Sequence, residues 1–348
     1  MKRAALFLLM MLISVCAFAQ EPADRPASDE GAAENPRSAG QPRPPAPAPP
    51  AASPRRRGSM VGYIDDAVVG PKIRIRFETG SGNHVPDRAE FFYAKCGCYR
   101  DLRGQAPFDP NAPGPGPGIV TDMNFQQLYA QGEYAVNDRF SAFAEMPLRW
   151  IQPQAFAPPP PGGSFPSHSG LSDLRGGVKY VILSESQQML TVQLKAFLPT
   201  GKALNGLGTD HASLEPALLL YQRFSDRFAV ESMVGDWHPF GGSDGVPVSA
   251  SGKFAGDVFF YGIGPSYEVY QGARARVAPV VELVGWHVVD GFQTADPADA
   301  SGTNIVNLKF GARAVWDTRH SFYVGYGHAL TDAVWYDDIV RFEYRFSF

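Results

Sequence analysis

Apolar and polar residues alternate along most of the chain from residue 72 onward. In the first such segment, Ile73, Ile75 and Phe77 share one face of an extended strand, and three cations share the other. Most of the later segments sustain this period of two over ten or more residues. Because membrane strands need about 9–11 residues and strands of soluble proteins about five or six, these lengths favour a membrane barrel. The later segments are 123–136, 139–150, 171–183, 189–199, 213–224, 227–237, 256–269, 275–287, 304–316, 320–328 and 338–348.

The connections between these segments are alternately short and long. Outer-membrane barrels have short periplasmic turns and longer outer loops in this order, whereas a soluble sandwich has no reason to sort its loops. The alternation makes the last strand descend, so we expect Phe348 at the periplasmic rim. The short turns are 137–138, 184–188, 225–226, 271–274 and 317–319. The long connections are 151–170, 200–212, 238–255, 288–303 and 329–337.

Strand parity calls for one more strand upstream. Eleven segments are counted from residue 123, and bacterial single-chain barrels have an even number of strands. The sequence therefore predicts an all-β fold, a transmembrane antiparallel β-barrel of about twelve strands. Two segments, 72–79 and 89–96, are candidates for the first strand. We favour 72–79, which leaves 80–122 as a long outer loop or as a plug folded into the lumen.

The N-terminal part of the chain has a different composition. Lys2 and Arg3 precede a short apolar stretch, and the small residues at positions 17 and 19 predict signal-peptide cleavage after Ala19. The following stretch is rich in Pro, Ala and Arg and cannot bury a core, which predicts a disordered periplasmic tail. We interpret its arginines as the solvated charges of a spacer rather than as a contact with an anionic partner. The predicted domains are the signal peptide 1–19, the tail 20–60 and the barrel 61–348.

Charge and cysteine content narrow the function further. The net charge of −4 and the pI near 6 give no indication of nucleic-acid binding. After signal cleavage the chain keeps two cysteines, Cys96 and Cys98. In an oxidising compartment they could close a tight disulfide, or they could be two free loop thiols; both interpretations stay open. The sequence predicts no cofactor, since two cysteines at this spacing do not make a zinc site.

The polar face of the predicted strands carries charges of both signs. These charges would be costly facing lipid, so we assign them to the lumen. Paired, they would form a salt-bridge ladder; unpaired, they would line a channel. The near balance of signs argues against strong ion selectivity. The residues assigned to the lumen are Arg74, Arg76, Glu145, Arg149, Arg175, Lys179, Lys195, Glu215, Arg223, Glu231, Arg276, Glu282, Lys309, Arg313, Arg341 and Arg345.

Catalytic constellations are weak in this sequence. The seven histidines are scattered, and no close pair has the spacing of a metal site. Ser266 and His287 lie on neighbouring predicted strands, but no triad order and no strained nucleophile turn accompany them. The sequence therefore predicts a protein without enzymatic activity and without a bound metal.

Three motifs carry a resemblance to a known family. They are the Gly-rich loop and strand Ser169–Tyr180, the strand end Phe197–Gly201 and the loop Leu207–Asp210. Together they resemble the outer-membrane proteins associated with meta-pathway phenol degradation, whose pattern is a Gly-rich loop, an Asp and then a Gly-x-Lys-Tyr-like strand. The resemblance covers about residues 120–348 and excludes the Pro-rich tail. It implies a porin-like barrel, sometimes labelled a transporter of hydrophobic or aromatic compounds, and it implies no specificity for phenols.

The leading functional hypothesis is an outer-membrane channel for passive passage of small solutes, hydrophobic or aromatic ones among them. One alternative is a structural or adhesive barrel whose lumen is plugged by 80–122. Another is a soluble secreted β-sandwich that binds a ligand. For the barrel we expect a location in the outer membrane of a Gram-negative-type bacterium. Its expected partners are the membrane lipid and the barrel-assembly machinery, which would recognise the C-terminal strand ending at Phe348; nucleic acid is not among them.

Overall fold

The computed structural model describes five parts of the chain, and within them the protein is all-β apart from one short 3-10 helix, Ala203–Asn205. The described residues contain no helix that is long and apolar enough to cross a bilayer. The described parts are residues 58–86, 119–157, 166–242, 255–291 and 300–348. The predicted signal peptide, most of the predicted tail, the alternative first strand 89–96, and Cys96 and Cys98 lie outside the described residues.

Twelve long antiparallel strands form a closed barrel, and two short strands accompany them. The strands are β1 (Lys72–Asn83), β2 (Ile119–Ala135), β3 (Phe140–Ala157), β4 (His168–Leu171), β5 (Leu174–Ser184), β6 (Gln188–Leu198), β7 (Ala212–Arg223), β8 (Phe228–Phe240), β9 (Val258–Tyr267), β10 (Tyr270–Gln271), β11 (Ala275–Val288), β12 (Asn304–Trp316), β13 (His320–Ala329) and β14 (Asp338–Ser347). The short β4 and β10 pair with β3 and β11, and the pairing of β14 with β1 closes the ring. Because each long strand has partners on both sides, no free sheet edge is left, and a β-sandwich is excluded.

The segment 72–79 is part of the first barrel strand, as predicted. Ile75 of β1 lies opposite Tyr344 of β14 on one side and opposite Ala130 of β2 on the other. This strand completes the twelve, so the parity argument is confirmed. The ends of the predicted loop 80–122 belong to β1 and β2, and its middle, 87–118, lies outside the described residues.

The pleat sends charged side chains inward and apolar side chains outward. Along β1, Lys72 and Arg76 are buried, whereas Ile73 is 44% and Ile75 is 38% exposed. An apolar exterior around a fully hydrogen-bonded ring is what a barrel needs in lipid, because lipid offers no partner to a polar group. Exposed aromatic rings lie near both ends of the strands, like the interfacial belts of membrane barrels. At the short-turn end they are Tyr134, Tyr180, Phe224, Tyr267, Trp316 and Phe348, and at the long-loop end Trp150, Phe240, Phe259 and Tyr326.

Asp173 ties the connection between β6 and β7 to the start of β5. Its Oδ1 accepts a hydrogen bond from the Gly201 amide at 2.9 Å, and its Oδ2 accepts bonds from the amide and hydroxyl of Thr209 at 2.7 and 2.8 Å. A Cβ on Gly208 would lie 2.5 Å from Asp173 Oδ1, so this position favours glycine. The three motifs of the family resemblance therefore meet around Asp173. Their role in this structure is to hold two outer loops together.

We expect Asp173→Ala to loosen this attachment and to expose the connection 199–211 to protease. Hydrogen bonds to a charged acceptor contribute about 1.5–3 kcal/mol each, and the variant removes three of them. The measurement is the rate of limited proteolysis of the folded protein, with cleavage sites read by mass spectrometry. Asp138→Ala, in an exposed short turn, is the matched control; equal cleavage rates in the two variants would contradict the expectation.

Candidate functional site

The predicted lumen-lining residues occupy inward positions on the barrel strands, and the structure encloses them to different degrees. Those that are buried are Arg76, Glu145, Arg149, Lys179, Glu231, Glu282, Lys309, Arg313, Arg341 and Arg345. Those that are partly buried are Arg74, Arg175, Lys195, Glu215, Arg223 and Arg276. The lumen is therefore the place where the chain concentrates its enclosed charges.

Many of these charges pair across neighbouring strands. Glu145 of β3 lies within 3.3 to 3.5 Å of guanidinium nitrogens of Arg74, Arg76 and Arg175. Arg175 comes from β5, the neighbour of β3, whereas Arg74 and Arg76 come from β1 and reach across β2. Of the two arrangements left open by the sequence, the described strands thus favour salt bridges over isolated charges on this wall.

A second ionic cluster adjoins the first, because β14 pairs with β1 and Arg74 lies 3.8 Å from Glu343. Glu343 of β14 is 2.8 Å from Arg313 of β12 and 3.0 Å from Arg345. The side chains of Arg313 and Glu343 have no exposed surface. A buried pair of this kind needs further hydrogen bonds to offset its desolvation, and Arg313 has them, because it also donates to Ser321 Oγ at 2.9 Å.

Residues 59–68, which we call the lumen segment, lie inside the barrel. Met60, Val61 and Ile64 are at most 3% exposed, which is the burial of a protein core. The predicted boundary of the tail, residue 60, falls inside this segment, so Ser59 and Met60, which we expected to belong to the disordered tail, are buried. We expected 80–122 to be a long outer loop or a plug; among the described residues, the segment that fills the lumen precedes β1 instead.

Two glutamates of the wall hold the lumen segment through its peptide groups. Glu282 accepts hydrogen bonds from the amides of Gly62, Tyr63 and Ile64 at 2.8, 2.7 and 2.9 Å. Glu231 accepts one from the Met60 amide at 2.9 Å. A carboxylate that receives several amide protons is well satisfied without a cation, so these buried acids bind backbone rather than a neighbouring charge.

Two arginines hold the carbonyl side of the same segment. Arg313 donates to the carbonyl oxygens of Met60 at 3.0 Å and Val61 at 2.7 Å, and Arg341 donates to that of Gly62. A Cβ on Gly62 would lie 2.1 Å from the ring of Tyr323, so the close approach to β13 requires glycine. The wall thus binds both the amide groups and the carbonyl groups of the lumen segment.

The far end of the lumen segment binds the wall through its side chains. Asp65 Oδ2 lies 2.9 Å from Lys195 Nζ, and Asp66 Oδ2 lies 2.7 Å from Lys72 Nζ and 3.1 Å from Arg345. The Ala67 carbonyl accepts a hydrogen bond from Thr191 Oγ1 at 2.7 Å. The segment therefore contacts β8, β11, β12 and β14 through its first residues and β1, β6 and β14 through its last ones.

The ion pairs of Asp66 set a pH limit on this attachment. Burial raises the pKa of Asp66, but the charges of Lys72, Arg345 and Lys179 outweigh burial and hold the pKa well below the ordinary value near 3.8. A carboxyl whose pKa is depressed in the folded state contributes its stability above the ordinary pKa and loses it as the pH falls through the folded value.

We therefore expect single-channel conductance to stay constant from about pH 8 to about pH 5 and to rise only as the pH falls from about 4 towards the depressed pKa of Asp66, because the detached carboxyl takes up a proton more readily than the attached one. Planar bilayer recording across an acid series measures it. Asp66→Asn should show the raised conductance already at neutral pH and lose the acid response. A rise that starts near pH 6 in the unaltered chain would contradict the assignment to this carboxyl.

A cavity of about 290 Å³ lies on the long-loop side of the lumen segment; we call it the outer cavity. Tyr63 and Asp65 of the segment form part of its lining, so the segment is its floor. The ring of Tyr63 lies between two cations, with Lys309 Nζ and Arg341 Cζ each 3.9 Å from the ring centre. These two cation–π contacts help to hold the Tyr63 ring in place within the lumen.

A smaller gap of about 40 Å³ follows the wall of β1–β6 beside the segment. It shares Asp65, Arg76, Arg175 and Lys195 with the outer cavity and reaches Lys72 at the turn end of β1. A gap of this size is large enough for water, since one water molecule needs a cavity volume of roughly 10–15 Å³. The lumen segment thus fills one side of the barrel and leaves a charged gap of water size beside it, next to the outer cavity.

The structure does not bring the weak catalytic pair together. Ser266 lies opposite Val280 and His287 opposite Phe259, at different ends of the β9–β11 pair. Ser266 is buried, with its hydroxyl 3.4 Å from the Ala229 carbonyl, so it faces no substrate space.

One group of ligand-type side chains was missed by the sequence analysis. Asp236, His238 and Asp257 place donor atoms within 4.8 Å of one another near the long-loop end of β8 and β9. His238 Nδ1 is 2.5 Å from Asp257 Oδ1, which makes the two a hydrogen-bonded pair. The sequence spacing did not indicate a metal-ligand group, because Asp257 lies just before β9, some twenty residues after Asp236 and His238.

Comparison with known proteins identifies solved structures that have a similar fold. No family model and no curated protein matches the chain. Among solved structures it is similar to the COG4313 outer membrane channel from Pseudomonas putida F1, with a TM-score of 0.50 and 15% identity over 86% of this chain and 100% of that chain. The KdgM porin (TM-score 0.40, 10% identity) and the NanC porin (0.42, 8%) each match 80% of this chain and 99% of their own. The first likeness establishes that the chain has the fold of an outer-membrane barrel.

Proposed function

We propose that the protein is a porin-like channel that lets small solutes cross the outer membrane passively. The observation that carries the proposal is the pair of cavities beside the lumen segment, which share four lining residues and from which we infer a path. Residues that line the outer cavity and the smaller gap run from Asn83 to Lys72, the two ends of β1. Such a path is charged and narrow, so it suits water, ions and small polar solutes and restricts larger ones.

Location and partners belong to the same proposal. The apolar exterior and its aromatic belts favour the outer membrane of a Gram-negative-type bacterium, in contact with lipid. We expect export through a signal peptide cleaved near Ala19 and insertion by barrel-assembly machinery that recognises the strand ending at Phe348. The family resemblance adds hydrophobic or aromatic compounds to the candidate solutes, and we assign no enzymatic role.

Planar bilayer recording of the purified full chain tests the channel. We expect small, discrete conductance steps, because the path is water-sized, together with heat-modifiable gel migration of the membrane fraction. Absence of conductance steps from protein that migrates as a folded barrel would overturn the channel. Recovery of the protein in the soluble fraction alone would overturn the membrane location.

A structural or adhesive barrel is the second candidate. It is favoured by the many hydrogen bonds that hold the lumen segment inside the barrel, because a firmly held segment would block the lumen. Glu282 alone binds three of its amides. In that case the barrel serves as an anchor, and its long loops carry the function. This candidate predicts no conductance in the full chain and loss of cell-surface binding when the long loops are shortened.

A further inference from the structure

The outer cavity has one cationic side. Its lining includes six cationic and three acidic side chains, so positive charge is in excess. Arg76, Arg175 and Lys195 come from β1, β5 and β6, the same wall that carries the smaller gap. Along the whole predicted lumen the charges of both signs are nearly balanced, whereas around the outer cavity cationic side chains outnumber acidic ones.

The opposite side of the outer cavity is apolar and aromatic. Trp237, Phe260 and Trp286 project from β8, β9 and β11, and Trp286 lies directly opposite Phe260 in the strand register. Trp335, from the connection between β13 and β14, packs on Trp286 with ring centres 4.5 Å apart. Flat rings on one side of a wet cavity offer a stacking surface for another flat ring.

Lys309 lies where the two sides meet. It is 3% exposed, and its Nζ donates to Tyr336 Oη at 2.6 Å and lies 5.7 Å from the ring centre of Trp286. Among the described residues, no carboxylate lies within 4 Å of this ammonium group. A buried cation without an anionic partner is costly, and a bound anion would supply the partner.

We propose that the outer cavity binds a small aromatic carboxylate, with the carboxylate at Lys309 and the ring against Trp286 and Phe260. The inference rests on the proposed function, since it names a solute class that the outer cavity of the channel would bind. The cavity, at about 290 Å³, lies near the lower end of the range for small-molecule sites, about 300–1,000 Å³, which suits a single substituted ring. A neutral aromatic compound would leave Lys309 without its anion, and a small aliphatic acid would leave the rings uncovered.

Equilibrium dialysis of radiolabelled benzoate against the purified full chain in detergent tests the site. Benzyl alcohol, which has the ring without the charge, and acetate, which has the charge without the ring, serve as comparison probes. We expect both to bind at least about tenfold more weakly than benzoate, because each forfeits one of the two contact types.

Substitutions separate the two contacts. Lys309→Met should weaken benzoate binding about tenfold and leave benzyl alcohol binding within about twofold, a difference that a collapsed cavity would not produce. Trp286→Leu should weaken both aromatic probes. Lys202→Met and Trp316→Leu, both at exposed positions outside the cavity lining, are the matched controls. Lys309→Arg keeps the cation and should retain benzoate binding, and heat-modifiable migration checks that each variant is folded.

Equal binding of benzoate and benzyl alcohol, no binding of benzoate, or a Lys309→Met variant that behaves like Lys202→Met would each overturn the inference. Dialysis measures binding without transport, so its outcome is independent of the bilayer recording. Conductance without benzoate binding would leave the channel standing and remove the solute class. Benzoate binding without conductance would leave the binding site and remove the channel.

Discussion

A chain lacking residues 59–68 is expected to conduct several times more current per channel than the full chain. The deletion removes the segment that fills the barrel between Glu282 and Arg313 on one wall and Lys195 on the other. The polar groups that it leaves behind face the lumen, where water can replace the lost hydrogen bonds. The closed ring itself does not depend on the segment, since β1 keeps its pairing with β14 and β2.

Planar bilayer recording of single channels measures this effect. Deletion of residues 20–57 is the matched control, because it shortens the chain before β1 and keeps the lumen segment; its conductance should equal that of the full chain. Equal conductance of the 59–68 deletion and the full chain would mean that the segment does not limit the current. The deletion protein should still show heat-modifiable migration, which separates a wider pore from a misfolded barrel.

Arg313→Met should be the most destabilising single substitution among the lumen charges. Arg313 is fully enclosed and bonds Glu343, Ser321 and two carbonyl oxygens of the lumen segment. Removal of one partner of a buried ion pair costs up to about 3–5 kcal/mol; Glu343 keeps Arg345, but the lost bonds to Ser321 and the lumen segment add to the cost. We expect a lower urea midpoint for unfolding from lipid vesicles, followed by tryptophan fluorescence.

Arg274→Met provides the comparison. Arg274 lies 4.0 Å from Asp317, and their side chains are 78% and 49% exposed. An exposed pair contributes about 0–1 kcal/mol, so this variant should unfold near the midpoint of the unaltered protein. If the two variants had the same midpoint, the enclosed cluster would contribute no more than a surface pair.

The barrel was predictable because its signals are local. A strand such as β12 shows its own period of two and its own turn, and it spans 304–316 in both the prediction and the structure. Strand parity then required one more upstream strand without knowledge of any long-range contact, and it left 72–79 and 89–96 as the two candidates. The choice of face was equally local, since a charge such as Arg313 cannot point to lipid.

The lumen segment was not predictable by the same means. Its anchors bind peptide amides, which every residue except proline carries, so Glu231 and Glu282 show no sign of their partners in the sequence. The contacts of Met60 and Gly62 with these acids span 171 and 220 residues. A weak signal was present: Met60, Val61 and Ile64 interrupt the Pro-rich composition, yet they are too few to form a strand.

The lumen segment is joined to β1 by the three residues 69–71, and this covalent connection has a kinetic consequence. A segment that detaches cannot diffuse away, and it faces its own site at an effective concentration on the order of millimolar. Rebinding is then an intramolecular event that competes with every opening. Openings of the full chain should accordingly be brief and self-terminating, seen in recordings as flicker between two levels, and a solute passing through would meet a gate that resets itself without any partner protein.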